Sequence, residues 1–438
     1  ADVDNDGDLD LGSNSFGSGA GVHVYLNQGD GTWIQSFGFL GGNSSMDFMF
    51  GDINNDGFID FAVNHQSGSV YFGDGTGDFE LADNNLPPGG ILGRCGISLG
   101  DIDNDGGKDL AYITSSGGIK AWLWDETSQQ WIDISGNLPL SGDYEMTQLY
   151  DMNTDGFIDL AAFGEGTFTL WLGDGGSNWL QDAQFFTPSY GYCEAFRAGG
   201  DIDHNGYADL MLVADEGSWP SDHNHLRCFK ENSPAYQLDI SAVFPRGNEF
   251  FLPGSVQFID WIAAVPAGDV ATITLEYSLE GENGPWSSIA TDLPNNGRFQ
   301  WTIPEFSSSD CFLKYTATTP SASQFAITPC AFTIAAVTDS DDNIMPAAVI
   351  ELRNCPNPFN PLTTITYSLP QETTVILKIH NIRGQLVRIL VSGIKPAGEY
   401  QIIWNGKDYD DQPVPSGIYF YQLDTGIGSQ IGKMILLR

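Results

Sequence analysis

The sequence predicts an all-β protein built in three consecutive parts. An acidic segment recurs five times in the first half of the chain, beginning at Asp2, Asp52, Asp101, Asp151 and Asp201. Short segments that alternate polar and apolar residues begin near residue 235, and a second set follows a polar stretch at 338–348. Alternation with a period of two is typical of strands that bury one face. We therefore expect repeated sheets over residues 1–232, then a β-sandwich over 235–337 and another over 348–438.

Each repeated segment has the residue pattern of a calcium-binding loop. Positions 1, 3 and 5 hold Asp or Asn, position 6 holds Gly and position 9 holds Asp. Calcium takes about six to eight oxygen ligands, and a Gly allows the chain to turn sharply between them. Position 7 would supply a backbone carbonyl, so its side chain is free to vary. The predicted ligands, at positions 1, 3, 5, 7 and 9, are Asp2, Asp4, Asp6, Asp8 and Asp10 in loop 1; Asp52, Asn54, Asp56, Phe58 and Asp60 in loop 2; Asp101, Asp103, Asp105, Gly107 and Asp109 in loop 3; Asp151, Asn153, Asp155, Phe157 and Asp159 in loop 4; and Asp201, Asp203, Asn205, Tyr207 and Asp209 in loop 5.

The residues after the loops argue against an EF-hand. That motif needs a Glu at position 12 and a following helix. Position 12 of loops 2 to 5 holds Val63, Tyr112, Ala162 or Leu212, within short apolar segments that are typical of strands. Five copies in the same register also argue against ordinary Asp/Gly turns. We expect about five calcium ions (Ca²⁺), each with a structural role in one repeat.

Each repeat of about 50 residues is predicted to contain four short strands. One strand precedes the loop, one follows it, and two more are joined by a turn such as GDG. A unit of this kind is one blade of a β-propeller. Aromatic residues end the units in the same register, and their regularity favours packing between blades over sugar binding. These residues are Trp33, Phe79, Trp131 and Trp179.

The loops and their flanking strands resemble the FG-GAP/VCBS-type propeller repeats of integrin α-like and many bacterial surface proteins. The resemblance covers all five segments, from DVDNDGDLDL to DIDHNGYADL. It implies structural calcium and an extracellular binding role. Closed propellers of this family have more blades than the four complete loop-to-loop units present, and the chain opens inside loop 1. We therefore expect a partial propeller, with further sequence upstream of Ala1.

The two later parts resemble modules of secreted bacterial proteins. Segments such as GSVQFIDWI and ITLEYSLEGENGPW, within 235–337, resemble Ig/fibronectin-like spacer modules, which implies a spacer or binding role. Residues 348–438 closely resemble the C-terminal sorting domain of type IX secretion cargo, which is related to the Ig-like domain of flagellar hook-cap proteins. The landmarks are PNPFNP at 356–361, WNG at 404–406 and GIY at 417–419. This resemblance implies export to the extracellular space or cell surface of a diderm bacterium.

Charge and cysteine content limit the possible partners and compartments. Lys and Arg number 17 against 57 Asp and Glu, so the net charge of −40 excludes a nucleic-acid-binding surface. The sequence contains no run of 18 apolar residues, so it predicts no transmembrane helix.

The cysteines offer two candidate disulfides. Cys311 and Cys330 lie symmetrically about a predicted turn near Pro320, which favours a cross-strand disulfide. Cys193 and Cys228 flank loop 5 and are a second candidate pair. Disulfides would fit an oxidising, extracellular location.

The sequence offers two weak indications of an enzyme. Ser98 in GISLG matches the nucleophile pattern GxSxG, but that chemistry needs a strand, a turn and a helix, whereas a strand is predicted here. Asp222, His223 and His225 form a polar cluster that is more typical of a solvated loop than of a metal or catalytic site.

We therefore predict no catalytic residue and a binding or adhesion function. The expected partner is an extracellular polysaccharide or protein, or other copies of the chain within a surface assembly. Two alternatives stay open. One is a polysaccharide-degrading enzyme or its carbohydrate-binding part, since calcium-propeller polysaccharide lyases exist. The other is a structural subunit of an extracellular assembly or filament.

Overall fold

The computed structural model describes residues 1–14, 21–38, 47–65, 69–87, 96–188, 193–217, 223–336, 352–355, 357, 359 and 361–437. Within these ranges all regular elements are strands, which confirms the all-β class. The chain divides into two compact units, Ala1–Ala336 and Val337–Arg438. The predicted linker at 338–348 lies outside the described residues.

Five antiparallel sheets follow one another through residues 11–229. The first holds β1 (Leu11–Asn14), β2 (Val22–Asn27) and β3 (Trp33–Gly38). The second holds β4 (Phe48–Gly51), β5 (Asp60–Val63), β6 (Val70–Gly73) and β7 (Phe79–Leu81). The third holds β8 (Ile97–Gly100), β9 (Asp109–Ile113), β10 (Ile119–Asp125) and β11 (Gln130–Asp133). The fourth holds β12 (Met146–Tyr150), β13 (Asp159–Gly164), β14 (Thr167–Leu172) and β15 (Leu180–Phe186), and the fifth holds β16 (Cys193–Ala198), β17 (Leu210–Glu216) and β18 (His223–Phe229).

The predicted repeat of strand, loop and three further strands is confirmed in sheets 2 to 4. In each of these sheets the loop joins the first strand to the second, and neighbouring strands follow chain order. The first strands of sheets 2 to 5, which are β4, β8, β12 and β16, pack against one another in succession. Arg197 on β16 also reaches Asp47 beside β4, with 3.5 Å between Nη2 and Oδ1. The first strands of sheets 2 and 5 are therefore close together.

Aromatic side chains fill the space between neighbouring sheets. Trp131 and Trp179 are 2% and 0% exposed, and their indole N–H groups donate to carbonyls of the preceding repeat, those of Ala82 and Ile134. The predicted inter-sheet role is confirmed for these two residues. It is wrong for Trp33, whose side chain is 44% exposed. The structural reason is that Trp33 belongs to the first sheet, which has no preceding sheet to pack against in the described residues.

Asparagine side chains strengthen the same contacts between sheets. Asn137 accepts a hydrogen bond from the backbone N–H of Trp179 and donates one to its carbonyl, over 3.0 and 2.5 Å. Asn85 forms the same pair of bonds with Trp131, over 2.8 and 2.7 Å. Each outer strand is therefore held to the repeat before it by a specific polar contact as well as by apolar packing.

Residues 241–334 form a β-sandwich. One sheet has the order β19 (Ser241–Phe244), β21 (Val256–Ile262) and β24 (Arg298–Thr302). The other has the order β20 (Phe250–Phe251), β27 (Phe332–Ile334), β25 (Ser308–Thr318), β22 (Thr272–Ser278) and β23 (Ser287–Pro294), with β26 (Ser323–Ile327) also paired to β25. Their facing side chains, including Trp261, Trp301 and Tyr315, make one apolar core.

Both predicted disulfides are wrong. Cys311 carries a free thiol, and its backbone pairs with Phe332, because the chain leaves β26 at Ile327 and enters a new strand, β27, beyond Cys330. Cys193 and Cys228 are also free. They lie on β16 and β18, and β17 separates these two strands within the sheet.

The C-terminal unit is a second sandwich. One sheet has the order β28 (Leu352–Cys355), β29 (Thr363–Leu369) and β32 (Gly398–Trp404). The other has the order β31 (Leu386–Lys395), β30 (Thr373–Asn381), β33 (Gly417–Thr425) and β34 (Gly428–Leu436). Phe359 of the PNPFNP motif is buried against Trp404, with 5.6 Å between ring centroids. Its backbone N–H donates to Ile435, and its carbonyl accepts from Leu437. The motif is therefore attached to the last strand of the unit.

Candidate calcium loops

The five loops share one hydrogen-bonding scheme. At position 1 the carboxylate accepts the N–H of the position 6 Gly, as in Asp52 with Gly57 over 2.8 Å. At position 9 one carboxylate oxygen accepts the N–H of position 2, and the other accepts the N–H of a residue later in the chain. In loop 2 these are the contacts of Asp60 with Ile53 and with Gly73, over 2.7 and 2.8 Å. The closing Asp thus reaches back across the loop, as its spacing predicts.

Three carboxylates come close together in each of loops 1, 3 and 5. Single carboxylate oxygens from the following residues lie within 4.8 Å of one another: Asp2, Asp4 and Asp6; Asp101, Asp103 and Asp109; and Asp201, Asp203 and Asp209. In the described part of the chain, one oxygen each of Asp2, Asp4 and Asp103 is buried without a hydrogen-bond partner. Buried carboxylate oxygens without partners fit a hard cation such as calcium, which takes oxygen ligands only. When bound, calcium would supply charge neutralisation and cross-linking of the loop.

Burial makes the charged form of these carboxylates unfavourable. It raises the pKa of Asp2 to about 6 and that of Asp60 to about 8. Burial together with nearby carboxylates raises the pKa of Asp105 to about 7, and it raises the pKa of Asp52 and Asp103 strongly. Without a metal ion, each loop must either take up protons or keep repelling charges in a desolvated site.

Position 4 has a structural role that the ligand pattern does not indicate. Its residue adopts left-handed backbone dihedrals in every loop, with φ between 56° and 60°, in Asn5, Asn55, Asn104, Thr154 and His204. Asn tolerates this conformation better than most residues. The recurrence of Asn at a non-ligand position was the available sequence signal.

The position 4 side chains of loops 2 and 3 also connect each of these loops to the next one. Asn55 Nδ2 lies 3.5 Å from the Asp105 carbonyl of loop 3, and Asn104 Nδ2 donates to the Gly156 carbonyl of loop 4 over 3.2 Å. Loops 2, 3 and 4 therefore form a continuous row at one end of the sheets.

The sandwich at 241–334 contacts this end of the sheets. The backbone N–H of Val256 donates to Asp2 over 2.7 Å. Arg246 Nη1 lies 3.3 Å from Asp151 Oδ2, and the N–H of Val265 donates to the His204 carbonyl over 2.8 Å. Loops 1, 4 and 5 are thus each bonded to the sandwich, a contact that no motif in the sequence indicates.

Neither candidate for catalysis gains support from its surroundings. Ser98 lies within β8, and its buried hydroxyl donates to Thr147 over 3.1 Å, so it is not on the turn that a nucleophile elbow needs. His223 and His225 lie on strand β18, which corrects the interpretation of this segment as a loop. Asp222 lies outside the described residues.

Two family matches cover parts of the chain. The family described as FG-GAP-like repeat matches residues 2–63, which include loops 1 and 2. The family described as FlgD Ig-like domain matches residues 362–427, within the C-terminal unit. These matches support the two sequence resemblances over those ranges. No curated protein sequence matches the chain. In the described residues, no helix is long and apolar enough to cross a membrane.

Solved structures show only distant similarity. Dimeric latent PorU from Porphyromonas gingivalis is 13% identical, with coverage of 78% of this chain and 32% of PorU, and a TM-score of 0.19. PorZ, an essential surface component of the type-IX secretion system of the same organism, is 11% identical, with coverage of 95% and 85% and a TM-score of 0.19. The fibronectin(III)-like modules of Clostridium thermocellum CbhA are 11% identical, with coverage of 45% and 93% and a TM-score of 0.18. This chain spans about a third of PorU, and scores of this size carry no argument about function.

Proposed function

We propose that this chain is a secreted or surface-exposed, non-enzymatic binding protein of a diderm bacterium. Its N-terminal half would be part of a β-propeller held by structural calcium ions. The observation that carries the proposal is the set of buried carboxylate oxygens without hydrogen-bond partners on Asp2 and Asp4 of loop 1 and on Asp103 of loop 3. Extracellular calcium modules work at about 0.1–1 mM free ion, so such loops suit the outside of a cell.

The succession of packed sheets supports the propeller part of the proposal. The first strands of consecutive sheets pack side by side. Arg197 of the fifth sheet also contacts Asp47, which lies beside the first strand of the second sheet. Sheets whose first strands pack together in succession are expected in a β-propeller.

The position of the sandwich indicates where a partner would bind. Val256, Arg246 and Val265 occupy the end of the sheets that carries the loops. A polysaccharide or protein partner would therefore use the opposite end or the outer edges of the sheets. The FlgD Ig-like match supports a C-terminal module that serves export and surface attachment.

Binding is tested with the full chain on glycan arrays and immobilised matrix proteins, in millimolar calcium and in excess EGTA. We expect specific binding in calcium and loss of binding in EGTA. No binding to either class in calcium would contradict the adhesion function, and product release from anionic polysaccharides would contradict the non-enzymatic part. Protease treatment of intact cells tests the location, because a surface protein is cleaved without lysis.

A second candidate function is that the chain serves as a structural subunit of an extracellular assembly. Leu180 and Phe186 on β15 and Leu226 on β18 are exposed on strands at sheet edges, and Phe186 is 78% exposed. Exposed apolar edges pair readily with other chains. Light scattering over a concentration series would detect self-association, which Phe186→Ser should weaken. Leu140→Ser is the control, because exposed Leu140 lies outside the strands.

A further inference from the structure

Loops 2 and 4 carry the same predicted ligands in different surroundings. Their sequences, DINNDGFID and DMNTDGFID, differ only at positions 2 and 4, which supply no predicted ligand. In both loops the position 3 amide donates to the position 5 carboxylate, Asn54 to Asp56 over 2.8 Å and Asn153 to Asp155 over 3.0 Å. By residue type alone, the two loops should bind calcium equally well.

Loop 4 differs because a guanidinium from the sandwich enters it. Arg246 Nη1 lies 3.3 Å from Asp151 Oδ2, at ligand position 1. A Cβ placed on Gly156 would lie 3.1 Å from Arg246 Nη2, so the guanidinium also lies against the turn of the loop. Among the described residues, loop 2 forms no ion pair with a basic side chain.

The backbone of Arg246 is held by hydrogen bonds within the sandwich, and its side chain is mostly buried. Its backbone N–H donates to the buried carboxylate of Glu249 over 2.6 Å, and its carbonyl accepts from the N–H of Cys330 over 3.1 Å. The Arg246 side chain is only 18% exposed. By contrast, Lys230 lies 3.5 Å from Asp203 in loop 5 but is 44% exposed and can turn into solvent when a metal ion arrives.

We propose that the Arg246 guanidinium takes the place of calcium in loop 4, so that the chain binds four calcium ions rather than five. Arginine stays protonated at all physiological pH values and donates in a fixed plane to carboxylates. It therefore neutralises Asp151 permanently, and its charge repels a divalent ion beside the same carboxylate. The arrangement would join the sheets to the sandwich at loop 4 regardless of calcium concentration. This inference rests on the proposed function.

The test is the number of calcium ions bound per chain. After equilibrium dialysis, the calcium content of the protein is measured by elemental mass spectrometry. Asp56→Asn and Asp155→Asn are a matched pair, since each removes the position 5 charge of one of the two otherwise alike loops. We expect four ions in the unaltered chain, three in Asp56→Asn and four in Asp155→Asn. Five ions in the unaltered chain, or the loss of one ion in both variants, would overturn the inference while leaving calcium binding intact. A chain that binds no calcium would overturn both this inference and the proposed function.

Replacement of the arginine tests its role directly. Arg246→Met keeps much of the side chain but removes the charge, and we expect a fifth ion to bind. Arg298→Met is the control, because Arg298 is the other sandwich arginine with an ion pair and contacts Asp260 outside the loops. An unchanged count in Arg246→Met, or a fifth ion in Arg298→Met, would overturn the inference. The pair of Asp variants gives an independent result if Arg246→Met does not fold.

Discussion

The side-chain amide of Asn55 donates a 2.9 Å hydrogen bond to the carbonyl of Asn248 and so joins candidate loop 2 to the sandwich. Asn55 Oδ1 also accepts the N–H of Phe250 over 2.8 Å. Asn248 in turn donates to the carbonyl of Asn104 over 2.9 Å. Three hydrogen bonds thus tie loops 2 and 3 to one turn of the sandwich.

Asn55→Ala should destabilise the N-terminal unit more than the equivalent change in loop 1. Asn5 and Asn55 have the same φ of 56°, so alanine carries the same backbone strain at both sites. In the described part of the chain the Asn5 side chain has no hydrogen-bond partner. We expect Asn55→Ala to lower the free energy of unfolding by about 1–3 kcal/mol more than Asn5→Ala, measured in urea with calcium present. Equal losses would argue against the contact.

Trp179→Ala should have a large effect because it removes a buried indole between sheets. We expect a loss of about 3–5 kcal/mol in the free energy of unfolding of the N-terminal unit. Trp33→Ala serves as the control, since Trp33 begins β3, the corresponding strand of the first sheet, but is exposed, and should cost about 1 kcal/mol or less. A comparable loss at both positions would mean that inter-sheet burial is not what stabilises the repeats.

Stability without calcium should fall as pH rises. The pKa of Asp2 is raised to about 6, that of Asp105 to about 7 and that of Asp60 to about 8, so folding favours their protonated forms. This contribution is complete below the unfolded-state pKa of about 4 and is lost as pH rises through 6 to 8. In EGTA we expect a higher melting temperature at pH 5 than at pH 8. Because calcium binds the charged carboxylates, its addition should raise the melting temperature most at pH 8. A calcium-free protein that is more stable at pH 8 would contradict this account.

Phe359→Ala should affect the C-terminal unit alone. It removes a buried ring packed on Trp404 at the place where the chain pairs with β34. The expected cost is about 3–5 kcal/mol for unfolding of that unit. Calorimetry of the full chain measures the unfolding transitions of the two units separately. The control is Ile382→Ala, which changes an exposed residue in a turn. A shift of the N-terminal transition would contradict the assignment.

Local repetition made much of the fold predictable. The closing Asp of loops 2 to 4 begins the next strand, at Asp60, Asp109 and Asp159, so the loops locate these strands correctly. Alternation also located β21 and β22 of the first sandwich, within GSVQFIDWI and ITLEYSLEGENGPW. It missed β23 and β26, whose exposed or half-buried residues do not give a clear apolar face.

The contacts between distant segments were not predictable from the sequence. Arg246 and Asn248 lie in a turn without any repeat or motif, and their importance comes from which loops they meet after folding. The cysteine pairings failed for a related reason. Equal spacing about a turn assumes a single hairpin, whereas the chain changes strand between Ile327 and Phe332.

The most direct test of the account is hydrogen–deuterium exchange of the full chain with calcium and with EGTA. The central claim is that calcium in the loops stabilises the N-terminal unit together with its docked sandwich. We predict that EGTA speeds exchange in loops 2 and 3 and in residues 246–256, and leaves residues 362–437 unchanged. Equal changes in both units, or no change in the loops, would contradict it.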